Sequence, residues 1–120
     1  MASKINIQIK RIYESPAEDD GYRMLVDRLW PRGISKVEAK LQEWNKDIAP
    51  SVELRKWFDH KEERFDEFSK LYETELLEDP TKLERIKALA EKERVTLLFG
   101  AKDPKMNQAF VLCNVLRKIE

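Results

Sequence analysis

A chain of 120 residues fits one domain built around one hydrophobic core. Its 23 basic and 23 acidic side chains balance to a formal net charge of zero, which argues against general electrostatic binding to nucleic acid. The single cysteine excludes an internal disulfide, and the sequence contains no cysteine and histidine cluster of the kind that binds zinc. We therefore expect a single small domain over residues 1–120.

The chain also shows no signal for export or membrane insertion. Its N-terminal segment lacks the apolar run and cleavage region of a secretory signal, and no stretch approaches the length of a membrane span. We accordingly expect a cytoplasmic protein. Residues 37–93 carry an acidic excess and the two ends carry a basic one, which indicates either an anion-attracting surface or an ordinary solvated surface.

Two strands are predicted near the N-terminus. Isoleucines alternate with polar residues from Ile5 to Ile9, which is the period of a half-buried strand. An acidic loop over residues 14–21 follows, and we expect its carboxylates to be solvated. The second strand is predicted from Tyr22 to Trp30 and ends at Pro31, which has no amide to continue the ladder.

Helices are predicted for the middle of the chain. A capping box at Ser35 predicts a short helix running from Lys36, and a short strand could follow near Trp44. A second helix is predicted after Ser51. Two longer amphipathic helices follow, one from Glu62 and one beginning at a capping box on Thr81.

The last predicted unit is a strand, a turn and a helix. Residues 94–101 are almost continuously apolar, which is typical of a central strand covered on both faces. Asp103 is predicted to cap the last helix, in which Cys113 reads as a small core residue rather than a nucleophile. The alternation of elements predicts an α/β fold in which helices pack on a mainly parallel sheet of three to five strands.

Ligands of open α/β sheets usually bind beyond the carboxyl ends of the strands, near helix N-termini that attract anions. Two segments occupy such positions: Arg28, Trp30, Arg32 and Gly33 after the second strand, and Gly100, Lys102, Asp103 and Asn107 after the last. If the two segments are adjacent, they form a basic pocket with a carboxylate and an amide. Such a pocket suits a phosphate-bearing or carboxylate-bearing ligand.

The arginine and aspartate candidates each have a structural alternative. Arg28 and Arg32 could bind an anion, or they could pair with Asp27 or with the acidic loop. Asp27 lies on the same face of the predicted strand as Leu25 and Leu29. It could be a general base with a raised pKa, or it could pair with Arg11 or Arg23.

The aromatic and histidine candidates are equally open. Trp30 could stack on a ligand or pack in the core. His60, the only histidine, could be catalytic, but it is more simply read as a structural residue at the C-terminal end of a helix. The acidic loop could hold magnesium only loosely, so no metal site is predicted.

The chain resembles the YeaO-like proteins of domain-of-unknown-function family 488 in the segments Lys10–Tyr13, Asp20–Gly33, Ile48–Ser51 with Leu54–Phe58, and Val95–Leu98 followed by Ala101–Asp103. The resemblance implies a small cytoplasmic α/β domain of bacterial or archaeal origin, without an established activity. It marks as family motifs the residues Arg11, Asp27, Arg28, Trp30, Pro31, Arg32 and Gly33, with Asp103 and Asn107 in a second motif.

The chain departs from the family pattern at Met106 and Gln108, where similar proteins often carry histidine or asparagine. This departure argues against a histidine-dependent mechanism or a metal site at that junction.

Together these observations predict a site for a small anionic ligand. We predict ligand-binding roles for Arg11, Arg28, Trp30, Arg32, Gly33, Lys102 and Asn107, and orienting or catalytic roles for Asp27 and Asp103. Catalysis stays open, and the pattern names no cofactor or oligomeric state. The alternative is a noncatalytic module that binds nucleic acid or a protein partner through the basic motif.

Overall fold

A parallel sheet lies at the centre of the protein in a computed structural model that describes residues 5–119. Residues 1–4, part of the segment assessed for a secretory signal, and residue 120 lie outside the described part. The strands within it are β1 (Ile7–Arg11), β2 (Tyr22–Leu25), β3 (Glu43–Trp44) and β4 (Val95–Phe99). Their spatial order is β1-β4-β2-β3, and each adjacent pair is parallel. The predicted α/β fold with a parallel sheet is confirmed.

The helices of the described residues are α1 (Lys36–Ala39), α2 (Val52–Phe58), α3 (Phe65–Glu78), α4 (Pro80–Lys92) and α5 (Gln108–Lys118). Short 3-10 turns precede β2 and α3. None of these helices combines the length and the apolar composition needed to cross a membrane.

Strand β4 is central, as its apolar sequence predicts. All five of its residues are buried, and its four apolar residues are divided between two hydrophobic clusters on opposite faces of the sheet. Val95, Leu97 and Phe99 pack into the larger cluster, which includes residues of α2, α3, α4 and α5. Leu98 packs into a smaller cluster with Leu25 and Ala39. Both faces of the sheet are therefore covered, but unequally.

Strand β2 is shorter than predicted, because it ends at Leu25 rather than Trp30. Its neighbour β4 stops at Phe99 and β3 has only two residues, so residues 27–30 have no strand to pair with. The next amide, that of Val26, still donates to the Leu98 carbonyl at 3.0 Å. The chain then leaves the sheet.

Two predicted helix starts are also wrong. Helix α5 is capped by Asn107, whose Oδ1 accepts the Phe110 amide at 2.9 Å, and not by Asp103. Helix α4 starts at Pro80 rather than at a capping box on Thr81, because proline's fixed φ suits the first helical position. The capping box at Ser35 is confirmed.

The acidic loop is not wholly solvated as expected, because Asp20 is only 2% exposed. Its carboxylate pairs with Arg23 and, at 3.0 Å, with Lys10. Burial acts to raise the pKa of Asp20, but the Ala17 amide and the two cations outweigh burial and lower it. Arg23 is thereby engaged and does not pair with Asp27.

Candidate functional site

A cavity of about 250 Å³ opens beyond the carboxyl ends of β2 and β4. Its walls come from the loop after β2, the two ends of α2 and the junction between β4 and α5. The polar side chains that line it are those of Tyr13, Asp27, Arg28, Trp30, Arg55, His60 and Gln108. This is the edge of an open parallel sheet at which ligands usually bind.

Asp27 is held in this cavity by two neutral donors. Its Oδ2 accepts the Gly100 amide at 2.8 Å, and its Oδ1 accepts the side-chain amide of Gln108. A Cβ on Gly100 would lie 3.0 Å from Oδ2, so the missing side chain permits the close approach.

The pKa of Asp27 reflects its burial. Burial raises it to about 6, although the Gly100 amide, the Gln108 amide and the charge of Arg55 all act to lower it. The carboxyl group therefore changes protonation near pH 6, whereas an ordinary aspartate is fully ionised there.

Arg28 organises the backbone that leads into α2. Its Nε donates to the Pro50 carbonyl at 3.1 Å, and Nη2 lies 3.4 Å from the Ala49 carbonyl. Ser51 then caps α2 by accepting the Leu54 amide at 3.2 Å. Among residues 5–119 no carboxylate lies within 4.0 Å of Arg28, so neither predicted ion pair of Arg28 forms.

Arg55 and His60 stand at the C-terminal half of α2 and just beyond it. Within the described part of the chain, neither side chain makes a hydrogen bond or an ion pair, while the His60 ring lies 6.0 Å from the ring of Phe58. Asp59 and His60 both have left-handed backbones, with φ of 47° and 54°.

The rest of the cavity wall is largely apolar. Trp30 is fixed by a hydrogen bond from its Nε1 to the Ile34 carbonyl at 2.6 Å and by an edge contact with Trp44. Leu29 lies beside it and is 59% exposed. The remaining apolar lining consists of Pro31, Ala49, Pro50, Phe58 and Ala101. A ligand would thus meet charged groups and apolar surface together.

Of the residues predicted for the site, Asp27, Arg28 and Trp30 line the cavity, and six others do not. Arg11 lies behind the wall, where its Nε donates to the Ala101 carbonyl at 2.9 Å and its guanidinium stacks 4.5 Å from the Tyr13 ring centre. Arg32 is exposed, and only its carbonyl takes part here, accepting the Tyr13 hydroxyl at 2.8 Å. Gly33 forms an exposed turn with φ of 81°.

The second predicted segment also lies outside the cavity. Asp103 is exposed and closes a turn by accepting the amides of Lys105 and Met106 at 2.9 and 3.0 Å, which lowers its pKa. Asn107 is buried as the cap of α5, and Lys102 is exposed. The structure therefore does not bring these three residues together with Asp27.

Four polar lining residues, Tyr13, Arg55, His60 and Gln108, are not among the predicted site residues. The sequence predicts a structural role for His60, marks Gln108 only as a departure from the family pattern, and places Tyr13 and Arg55 only within segments that carry the resemblance. Gln108 is the first residue of α5, directly after its cap. A correct prediction of where α5 begins would have placed Gln108 near the ends of the strands. Nothing in the local sequence marks Arg55.

The cavity offers proton exchange at Asp27 and cationic contacts, but no strong nucleophile. The buried thiol of Cys113 lies on α5 outside the lining, and burial raises its pKa. Within residues 5–119, no group of three or more His, Cys, Asp or Glu side chains is placed to hold a metal ion.

Fold and site together define a small parallel α/β domain with a polar cavity at the carboxyl edge of its sheet. The DUF488-N3i family, described as "Inactive DUF488-N3 subclade", matches residues 6–119, and the chain belongs to this family. "Uncharacterized protein YeaO" of Escherichia coli (strain K12) is 44% identical over 115 residues, which cover 96% of this chain and 100% of that protein. The predicted YeaO-like membership is confirmed.

A second relative is "Uncharacterized protein Rv3073c" of Mycobacterium tuberculosis (strain ATCC 25618 / H37Rv). It is 40% identical over 116 residues, which cover 97% of this chain and 98% of that protein. No solved structure matches the chain.

Proposed function

We propose that this protein is a noncatalytic binding protein for a small anion that carries an apolar portion. One observation carries the proposal. Arg28, Arg55 and His60 line the same cavity, and within residues 5–119 none of them is paired with a carboxylate. Guanidinium groups that line a cavity without a carboxylate partner favour an anionic ligand, because a phosphate or carboxylate can accept paired N–H donors from them.

The size and lining of the cavity restrict the kind of ligand that it can bind. A volume of about 250 Å³ lies just below the range of roughly 300–1,000 Å³ that is usual for drug-sized ligands. Trp30, Leu29 and Phe58 would contact the uncharged part of the ligand. A phosphate-bearing or carboxylate-bearing compound with one small apolar or aromatic group fits both features.

Binding is favoured over catalysis for two reasons. Both oxygens of Asp27 already accept hydrogen bonds, from Gly100 and from Gln108, so the carboxyl group is placed to shape the site rather than to attack. The family is also described as an inactive subclade. A cytoplasmic location, expected from the sequence, is part of this proposal.

A thermal-shift screen with a matched pair of variants tests the proposal. The probes are phosphate, benzoate, phenyl phosphate and benzenesulfonate, with a short oligonucleotide for comparison. Arg55→Gln removes a cavity charge, whereas Lys56→Gln removes the neighbouring exposed charge of α2, which does not line the cavity. An anion at one hundred times its dissociation constant should stabilise the wild type by about 2.7 kcal/mol.

We expect stabilisation by an aromatic anion that Arg55→Gln weakens and Lys56→Gln leaves unchanged. Absence of any shift with the small anions would contradict the proposal. A shift only with the oligonucleotide that disappears at high salt would instead support the nucleic-acid module.

A further inference from the structure

We propose that His60 contacts the anionic group of the ligand and links its binding to the uptake of a proton. This inference rests on the proposed function, because it concerns the same cavity. His60 lines that cavity, and within the described residues its imidazole has a ring contact with Phe58 and no hydrogen bond or ion pair. Both ring nitrogens are thus unengaged in the folded chain.

The backbone at His60 supports a role beyond forming a turn. The turn closes α2 through hydrogen bonds from the Asp59 amide to the Arg55 carbonyl and from the Lys61 amide to the Phe58 carbonyl, at 3.1 and 2.9 Å. Two consecutive non-glycine residues with positive φ are uncommon, and glycine would form this turn with less strain. Strained positions of this kind cluster at functional sites.

The charges around the imidazole predict how the affinity for anions changes with pH. The other titratable or charged side chains that line the cavity are those of Tyr13, Asp27, Arg28 and Arg55. The chain neighbours Asp59 and Lys61 are exposed and do not line it. With a neutral imidazole, two guanidinium groups face one carboxylate, and protonation adds a third positive charge. Histidine is the side chain suited to change charge between pH 5 and 8, so anions should bind more tightly in acid.

Asp27 also gains a proton in this range, because burial raises its pKa to about 6. The experiment must therefore separate the two groups, and the Asp27→Asn variant does so by removing one titration. Benzenesulfonate is the suitable probe, since its charge stays constant from pH 5 to 8. Any pH dependence of its binding then belongs to the protein.

Benzenesulfonate affinity should be measured by calorimetry from pH 5 to 8 for Asp27→Asn and for Asp27→Asn with His60→Asn. Asparagine tolerates a left-handed backbone, so the turn is retained. We expect affinity in Asp27→Asn to rise about tenfold on acidification, the scale of one charge-assisted hydrogen bond, and to stay nearly constant in the double variant. Lys61→Gln in the Asp27→Asn background is the control, and it should keep the rise.

A second readout follows from His60 being the only histidine. Its Hε1 proton gives one NMR signal in the untagged protein, and benzenesulfonate should raise the pH at which that signal moves. Equal pH dependence with and without His60 would overturn this inference and leave anion binding intact. Absence of benzenesulfonate binding at every pH would overturn this inference, and absence of binding by all four small anions would overturn the proposed function with it.

Discussion

The chemistry of Asp27 depends on partners far away in sequence. The Gly100 amide and the Gln108 side chain lie 73 and 81 positions along the chain. The leucines on either side of Asp27 allowed the prediction of a raised pKa, and the structure agrees. Its hydrogen-bond donors could not be predicted, because they depend on where β4 ends and where α5 begins.

Asp27→Asn is expected to stabilise the protein at pH 7. A raised pKa means that the stabilising contribution of Asp27 is fully present below about pH 4 and is lost as the pH rises through about 6. A shift from 3.8 to about 6 corresponds to at most about 3 kcal/mol, so we expect a gain of roughly 1–3 kcal/mol at pH 7.

Urea unfolding of the wild type and Asp27→Asn at pH 4 and pH 7 measures this effect. The difference in unfolding free energy should be small at pH 4 and favour the variant at pH 7. A difference that is the same at both pH values would show that Asp27 does not titrate in this range.

Element types followed from local patterns, but element boundaries depended on neighbours. The Ser35 capping box and the apolar run of β4 are sufficient signals, and both elements form as predicted. The end of β2 is different, because a strand continues only as far as its partners do. The start of α5 was misassigned since Asp103 and Asn107 are both plausible caps, and only Asn107 accepts a helical amide.

Gly21 is the position at which the start of β2 is most sensitive to substitution. It has φ of 67°, and a Cβ there would lie 2.3 Å from the Arg94 carbonyl oxygen, which accepts the Tyr22 amide at 2.8 Å. Gly21→Ala should cost about 3 kcal/mol or more, because strain and a backbone clash combine. Gly33→Ala is the matched control, since Gly33 also has positive φ but no atom within 4 Å of a Cβ.

Thermal unfolding of the two glycine variants separates the clash from the conformational cost. Gly33→Ala should lose only about 1 kcal/mol. Equal losses in the two variants would mean that the close approach to Arg94 does not limit the substitution.

Across the whole molecule, the thinly covered face of the sheet carries a row of polar residues. Gln8, Thr96 and Arg23 are paired in register on β1, β4 and β2. Thr96 accepts from Gln8 at 2.9 Å and donates to the Asp20 carbonyl at 2.6 Å. A parallel sheet with a central last strand was predictable. The strand order was not, because alternation in one strand does not identify its neighbours.

Arg23 joins this row to the rest of the fold. Its guanidinium pairs with Asp20 in the turn before β2 and donates to the Ala39 carbonyl at the end of α1. Removing the buried carboxylate leaves Arg23 and Lys10 without their anion. Asp20→Ala should therefore cost about 3–5 kcal/mol at pH 7. Asp19→Ala is the control, because Asp19 is exposed and should cost less than about 1 kcal/mol.

The pH dependence of Asp20 is opposite to that of Asp27. A lowered pKa means that the contribution of Asp20 is present above about pH 4 and is lost as the pH falls below that value. The gap between wild type and Asp20→Ala should therefore narrow from pH 4 to pH 2, whereas the gap between wild type and Asp27→Asn widens from pH 4 to pH 7. Asp20 lowers the free energy of unfolding as the pH falls from 4 to 2, and Asp27 lowers it as the pH rises from 4 to 7. These two carboxyl groups therefore place maximal stability near pH 4. An Asp20→Ala gap that stays constant down to pH 2 would show that the buried cluster does not depend on the charge of this carboxylate.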